Sequence, residues 1–178
     1  HNGIIENFRE LRESLIKDGA KFASETDTEV VAHLVTREMK SGKSPAEAVA
    51  AALKQLRGAF ALAFLFTGQD DLMIGARKGS PLAVGYGDGE MFLGSDAVAL
   101  APLTRRIAYL EDGDLVAITP KGATVRDAAS KTVERPVHEV AKLGAELGKG
   151  NFPHYMLKEI YEQPTVIGDT LLSYIHYT

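Results

Sequence analysis

The sequence predicts an α+β domain, on three observations. Three helical segments, two of them with recognisable capping chemistry at their starts, lie within the first sixty residues. From Gly58 the apolar pattern shortens to runs of five to eight residues separated by Gly- and Asp-rich turns. Past Gly150 helical periodicity returns. Helices gathered before and after a block of strands point to antiparallel sheet covered by helices rather than to alternating β–α units.

Each element has a local reason. Ile5, Phe8, Leu11 and Leu15 recur at helical spacing and Gly19 can close the turn, so a helix is predicted over 5–18. TDTE at 26–29 has capping-box form, Thr26 accepting from the third helical N–H and Glu29 reaching back, ahead of a stripe of Val30, Val31, Leu34 and Val35. SPAE at 44–47 repeats the device with Pro45 at the first helical position, and Ala48, Val49, Ala52, Leu53 and Leu56 then face inward. AFALAFLF at 59–66 reads as a strand buried on both faces, paired with LMIGAR at 72–77 through the turn at 68–71. LAVGY at 82–86 and MFLGS at 91–95 flank GDGE, and IAYLE at 107–111 and LVAIT at 115–119 flank DGD, which together predict a meander. A last strand near 123–127 precedes an irregular connection reaching Gly150. Two helical stretches, 153–162 and 165–174, are predicted to be separated at Pro164, which restrains the residue before it.

Composition excludes several classes of function. A formal charge of −4 without a basic stripe interleaved with aromatics is unsuited to nucleic acid. No apolar run is long enough to span a bilayer and no signal-peptide pattern opens the chain, so a cytoplasmic location is expected. The sequence contains no cysteine, so no thiol within it can serve as nucleophile or ligand. The histidines at 1, 33, 138, 154 and 176 lack metal-ligand spacing, and neither metal nor cofactor is expected. GYGDG at 85–89 resembles a phosphate loop only superficially: it lies between strand signals, with no helix to present amides to an anion.

Two short motifs keep a chemical reading open. Asn2–Gly3 can present a side-chain NH₂ and a backbone N–H to one point, as stabilising an oxyanion requires, or it can be a turn between strand and helix. Asp27 stands just inside a helix start, where a carboxylate is favoured by the helix dipole and can be no more than a helix-end charge.

Longer stretches carry a resemblance. HNGIIENFRELRESLIKDGAKFASETDTEVVAHLV at 1–35, KGSPLAVGYG at 78–87, LGSDAVAL at 93–100, TRRIAYLEDGDL at 104–115 and HYMLKEIYEQP at 154–164 together resemble the glutaminase domains of the glutamine:fructose-6-phosphate aminotransferases, also called glucosamine-6-phosphate synthases. These are class II glutamine amidotransferases. The resemblance implies an N-terminal-nucleophile hydrolase fold, a four-layer αββα sandwich, incomplete here at its N-terminus. It implies that a cysteine at a processed N-terminus attacks the glutamine side-chain amide, with Asn2 and Gly3 as oxyanion donors and Asp27 as anchor for the α-amino group of L-glutamine. Ammonia then passes to a sugar isomerase domain that aminates fructose 6-phosphate. On this reading residues 1–163 are the glutaminase domain and 164–178 a tail leading toward the isomerase domain, and the parent is a homodimer. The cysteine-bearing segment is expected upstream of His1, which leaves the 178 residues inactive alone. A glutamine-binding or scaffolding module without a nucleophile, or another class II amidotransferase, is the alternative.

Overall fold

The computed structural model, which describes residues 1–140 and 148–175, opens on a strand rather than a helix. Strand β1 (Asn2–Ile5) pairs antiparallel with β2 (Gly58–Leu65), and helix α1 (Phe8–Lys17) starts three residues later than its periodicity suggested. Ile5 is fully buried, but as a strand residue. The cap position of α1 explains the shift. Asn7 makes no cap hydrogen bond; its Nδ2 donates to Gln55 O at 2.9 Å and its Oδ1 accepts from Arg57 N at 2.8 Å, tying the β1–α1 corner to the segment that leads into β2.

Helices α2 (Asp27–Lys40) and α3 (Pro45–Leu53) follow, with Val30, Val31, Leu34, Val35, Ala48, Val49 and Ala52 buried as predicted. At the start of α3 both the N–H and the hydroxyl of Ser44 donate to Glu47, at 3.0 and 2.6 Å. At the start of α2 the predicted box is only half built. Thr26 Oγ1 accepts from Glu29 N at 3.4 Å, while the Glu29 carboxylate turns to Ala23 and Ser24.

Strands β3 (Met73–Lys78), β4 (Ala83–Tyr86), β5 (Met91–Gly94), β6 (Arg106–Tyr109), β7 (Leu115–Thr119), β8 (Gly122–Arg126), β9 (Thr132–Val133) and β10 (Val137–Glu139) complete two antiparallel sheets, with the one-turn helix α4 (Ala97–Leu100) after β5. Among the described residues the strand orders are β1-β2-β3-β7-β8-β9 and β10-β6-β4-β5. The β2–β3 and β4–β5 hairpins are those the turns predicted. The DGD segment is not a hairpin: β6 lies in one sheet and β7 in the other, so the predicted meander is instead a crossing between layers.

Period-two alternation sorts the apolar side chains. Phe60, Leu62, Ile74 and Leu115 meet α1–α3, whereas Ala61, Val116, Ile118 and Val125 meet Leu82, Val84 and Leu110 from the second sheet. The outer face of that sheet packs Ala83 and Ile107 against Leu100 of α4. The order is therefore helices, sheet, sheet, helix, the α+β sandwich expected, with α4 as a thin outer layer. Strand β2 is buried on both faces only over Phe60–Leu62; Leu65 is 80% exposed, so the two-faced burial predicted for 59–66 holds for its first half alone. Where it holds, each large side chain removed from water contributes about 1.5–3 kcal/mol.

The chain divides into two units, His1–Ala141 and Lys142–Thr178. In the second, α5 (Tyr155–Tyr174) runs through Pro164 without the predicted break. Proline removes one helical hydrogen bond, whose acceptor would be Ile160 O, and Ile160 is half exposed, so solvent can satisfy that carbonyl. Of the irregular connection predicted up to Gly150, residues 141–147 lie outside the described residues, as does His176. Its earlier part contains β9 and β10, short strands that periodicity did not signal.

One carboxylate in the first unit is buried outright. Asp114 is 1% exposed, and its carboxylate receives Arg135 Nε and Nη2, both at 2.8 Å, and Glu111 N at 2.7 Å. Asp114 lies in the crossing from β6 to β7 and Arg135 in the return from β9 to β10, so the pair joins two of the places where the chain passes between sheets. Hydrogen bonding to Asp114 raises the Arg135 pKa further above its ordinary value.

Candidate functional site

The residues singled out in the sequence meet where β1 runs past the first turn of α2. Asp27 is the first residue of α2, and its Oδ2 accepts from Ile5 N at 2.8 Å. The carboxylate is thereby hydrogen-bonded to the strand that carries Asn2 and Gly3. Its side chain is about a quarter exposed, 24%. On the far side His1 Nδ1 shares a hydrogen bond with Thr28 Oγ1 at 2.7 Å and lies 3.9 Å from Asp27 Oδ1.

Asn2 and Gly3 belong to an edge strand, not to the turn that their dipeptide also allowed. Gly3 has φ +110° and stands so close to β2 that a Cβ would overlap Ala59 O and approach Phe60 Cα to 2.9 Å. Only glycine fits there, because both the dihedral and the space exclude a side chain. Asn2 is exposed.

The loop that delivers Asp27 is anchored by charge. Glu29 accepts from Ala23 N at 2.7 Å, Ser24 N at 2.6 Å and Ser24 Oγ at 2.6 Å, and His33 Nε2 lies 3.4 Å away. Arg12 caps the other side, donating to Ser24 O at 2.7 Å with its guanidinium 4.3 Å from the Phe22 ring centroid. The Ser24 hydroxyl first, then the Ala23 N–H, hold the Glu29 carboxyl down at about 2 from an ordinary 4.5. Because the folded value is depressed, this latch contributes fully above the ordinary value and is lost as pH falls toward about 2. Acid titration followed by NMR should therefore move the Ala23 and Ser24 amide resonances together with a midpoint near 2, and Glu29→Gln should abolish the transition. A midpoint at the ordinary value of 4.5 would show that the latch does not hold in solution.

His1, Thr28 and the Ile5 N–H had no part in the sequence-based site. A backbone donor leaves no side-chain signature, and the only available hint was the adjacency of His1 to Asn2 and of Thr28 to Asp27. Among the described residues no cluster of three or more His, Cys, Asp or Glu could hold a metal ion. A cavity of about 320 Å³ lined by Leu53, Phe60, Arg77, Leu115 and Arg126 among others lies between α3 and the sheet, and includes none of His1, Asn2, Gly3 or Asp27.

Comparisons with known proteins bear on this corner. The glutamine amidotransferase domain family matches residues 1–102. A glutamine–fructose-6-phosphate aminotransferase (isomerizing) of Brucella abortus is 60% identical over all 178 residues, 100% of this chain and 29% of that protein. The protein of the same name from Zymomonas mobilis is 59% identical over 175 residues, 98% of this chain and again 29% of its relative. The chain thus spans under a third of the length of these curated relatives. Among solved structures, the glutamine phosphoribosylpyrophosphate amidotransferase of B. subtilis superposes with a TM-score of 0.61 at 25% identity, covering 74% of this chain and 29% of that one.

Proposed function

The chain belongs to the glutamine amidotransferase domain family, and from that premise we propose that it is the glutamine-hydrolysing part of an enzyme that makes glucosamine 6-phosphate from fructose 6-phosphate. Identity of 60% along the whole chain to proteins named for that reaction favours it over phosphoribosylpyrophosphate amidation, whose solved representative is 25% identical over 74% of the chain. The observation that carries the site is the 2.8 Å hydrogen bond from Ile5 N to Asp27, because it sets a carboxylate beside the strand bearing Asn2 and Gly3.

In this reading Asp27 accepts the α-ammonium of L-glutamine, and Asn2 Nδ2 and Gly3 N–H face the oxygen of the side-chain amide. A thiolate adds to the amide carbon, and the oxyanion that forms is stabilised by the two donors. The amide nitrogen takes up the proton lost by the thiol and leaves as ammonia as the intermediate collapses, and water then hydrolyses the thioester to glutamate and the free thiol. The sequence contains no cysteine, so the thiol comes from outside these 178 residues in the full-length protein. Ammonia goes to a sugar isomerase domain, toward which residues 164–178 lead from a glutaminase domain over 1–163. The reading includes a cytoplasmic, homodimeric parent; among the described residues no helix is long and apolar enough to cross a membrane.

Asp27→Asn tests the reading, since asparagine keeps an oxygen for Ile5 N while removing the charge. In the full-length protein it should raise the KM for glutamine by about 10²-fold, with a smaller change in kcat. An unchanged KM would remove Asp27 from the substrate site. Glutamate release without fructose 6-phosphate-dependent formation of glucosamine 6-phosphate would overturn the acceptor. Glutamine binding without glutamate release would favour a sensing module.

A further inference from the structure

His1 is the buried polar side chain of this corner that the proposed chemistry leaves unused. Its imidazole is 5% exposed, although it stands at the start of an edge strand. Its Nδ1 meets Thr28 Oγ1 at 2.7 Å, which commits the ring to one orientation beside the Asp27 carboxylate, 3.9 Å away. In sequence His1 directly precedes Asn2–Gly3, and Thr28 directly follows Asp27. The strand and the helix are therefore joined at two points, His1 to Thr28 and Ile5 N to Asp27.

The first turn of α2 is already held by the Glu29 latch and by the burial of Val30 and Val31, and the bond at His1, four residues along from Ile5, adds a direct tie between the residue beside Asp27 and the residue beside Asn2. What that tie bears on is the aim of Asp27 relative to Asn2–Gly3. That relation matters to a substrate gripped at both ends, because misplacement by about 1 Å at one end can cost about 10²-fold at the other.

We infer that His1 is a positioning residue for recognition of the α-ammonium: through Thr28 it sets the direction of the Asp27 carboxylate relative to the oxyanion donors. The inference rests on the glutaminase reading above. It makes a specific demand: loss of His1 must harm substrates that carry an α-ammonium and spare those that lack one. An imidazole that only filled space or steadied β1 would affect both alike.

The test compares L-glutamine with 4-carbamoylbutanoate, which is glutamine without its amino group, in the full-length protein. The ratio of kcat/KM for the two should fall about tenfold in His1→Ala and in Thr28→Val, mostly through the KM for glutamine. Thr28→Ser, which keeps the hydroxyl, should preserve the ratio. In an Asp27→Asn background His1→Ala should leave the ratio where Asp27→Asn alone puts it, since there is no longer a charge to aim. Equal losses on both substrates, or a fall in the ratio that persists in the Asp27→Asn background, would overturn the inference. If His1→Ala does not fold, Thr28→Val against Thr28→Ser decides the matter. A failure of the glutaminase reading looks different: the unsubstituted protein would turn over neither compound, or both equally well.

Discussion

Asn2→Ala in the full-length protein is expected to lower the turnover of glutamine by about 10²–10³-fold, the usual consequence of deleting one oxyanion donor. The KM should change little, because a neutral amide oxygen draws weakly on the donor and the developing oxyanion strongly. Within the 178 residues Asn2 is exposed, so its truncation removes no buried contact among them. Glutamate-release kinetics beside a thermal melt separate an effect on turnover from one on stability. Turnover within a few-fold of normal would remove Asn2 from the oxyanion site.

Gly3→Ala is expected to be worse, abolishing at least about 10³-fold of turnover and lowering the melting temperature as well. Alanine retains the backbone N–H, so loss of a donor cannot be the cause. The new Cβ would overlap Ala59 O at a φ of +110° that L side chains avoid, and β1 would have to leave its register on β2. Displacing β1 moves Asn2 and also Ile5, whose N–H holds Asp27. Gly58→Ala provides the control, since a Cβ there would overlap Ile4 O from the opposite strand, and Gly58 is no part of the proposed site. The two variants should fail together. Normal activity in Gly3→Ala would show that the strand can relax and that its backbone does not face the reaction.

Residues whose reasons are local were readable from the sequence, and those whose reasons lie across the fold were not. Ser44, Pro45 and Glu47 announce α3 because capping involves atoms within one turn. Glu29 offers the same signal, but only half of that box is built, since Ser24 and Ala23 take its carboxylate once the preceding loop folds back. Ile5 fits a helical stripe as well as it fits a strand, and pairing with Gly58 decides the matter. The DGD turn looks like a hairpin because turn chemistry does not record which sheet the next strand joins. In the candidate site, Asn2, Gly3 and Asp27 were visible through resemblance, and each also had an ordinary structural reading. The contact of His1 with Thr28 spans 27 positions and follows no period. Asp114 and Arg135 were equally silent, two charges among many until burial singles one of them out.

That last pair also bears on the order in which the domain assembles. Strand β10 returns to pair with β6, while β7, β8 and β9 are neighbours in the other sheet, so residues 106–139 form a belt closed by β-pairing and clasped by Asp114–Arg135 at its two crossings. The belt draws its ends together over a short stretch of chain, whereas β1 finds β2 only after three helices have been threaded between them. Short loops cost less entropy to close than long ones, and contacts between near neighbours form sooner. By that criterion the belt is expected to close before β1 pairs with β2, and the corner that holds Asn2, Gly3 and Asp27 to form after it. In a nascent or partly unfolded chain, chemistry at that corner would be the last property gained and the first surrendered.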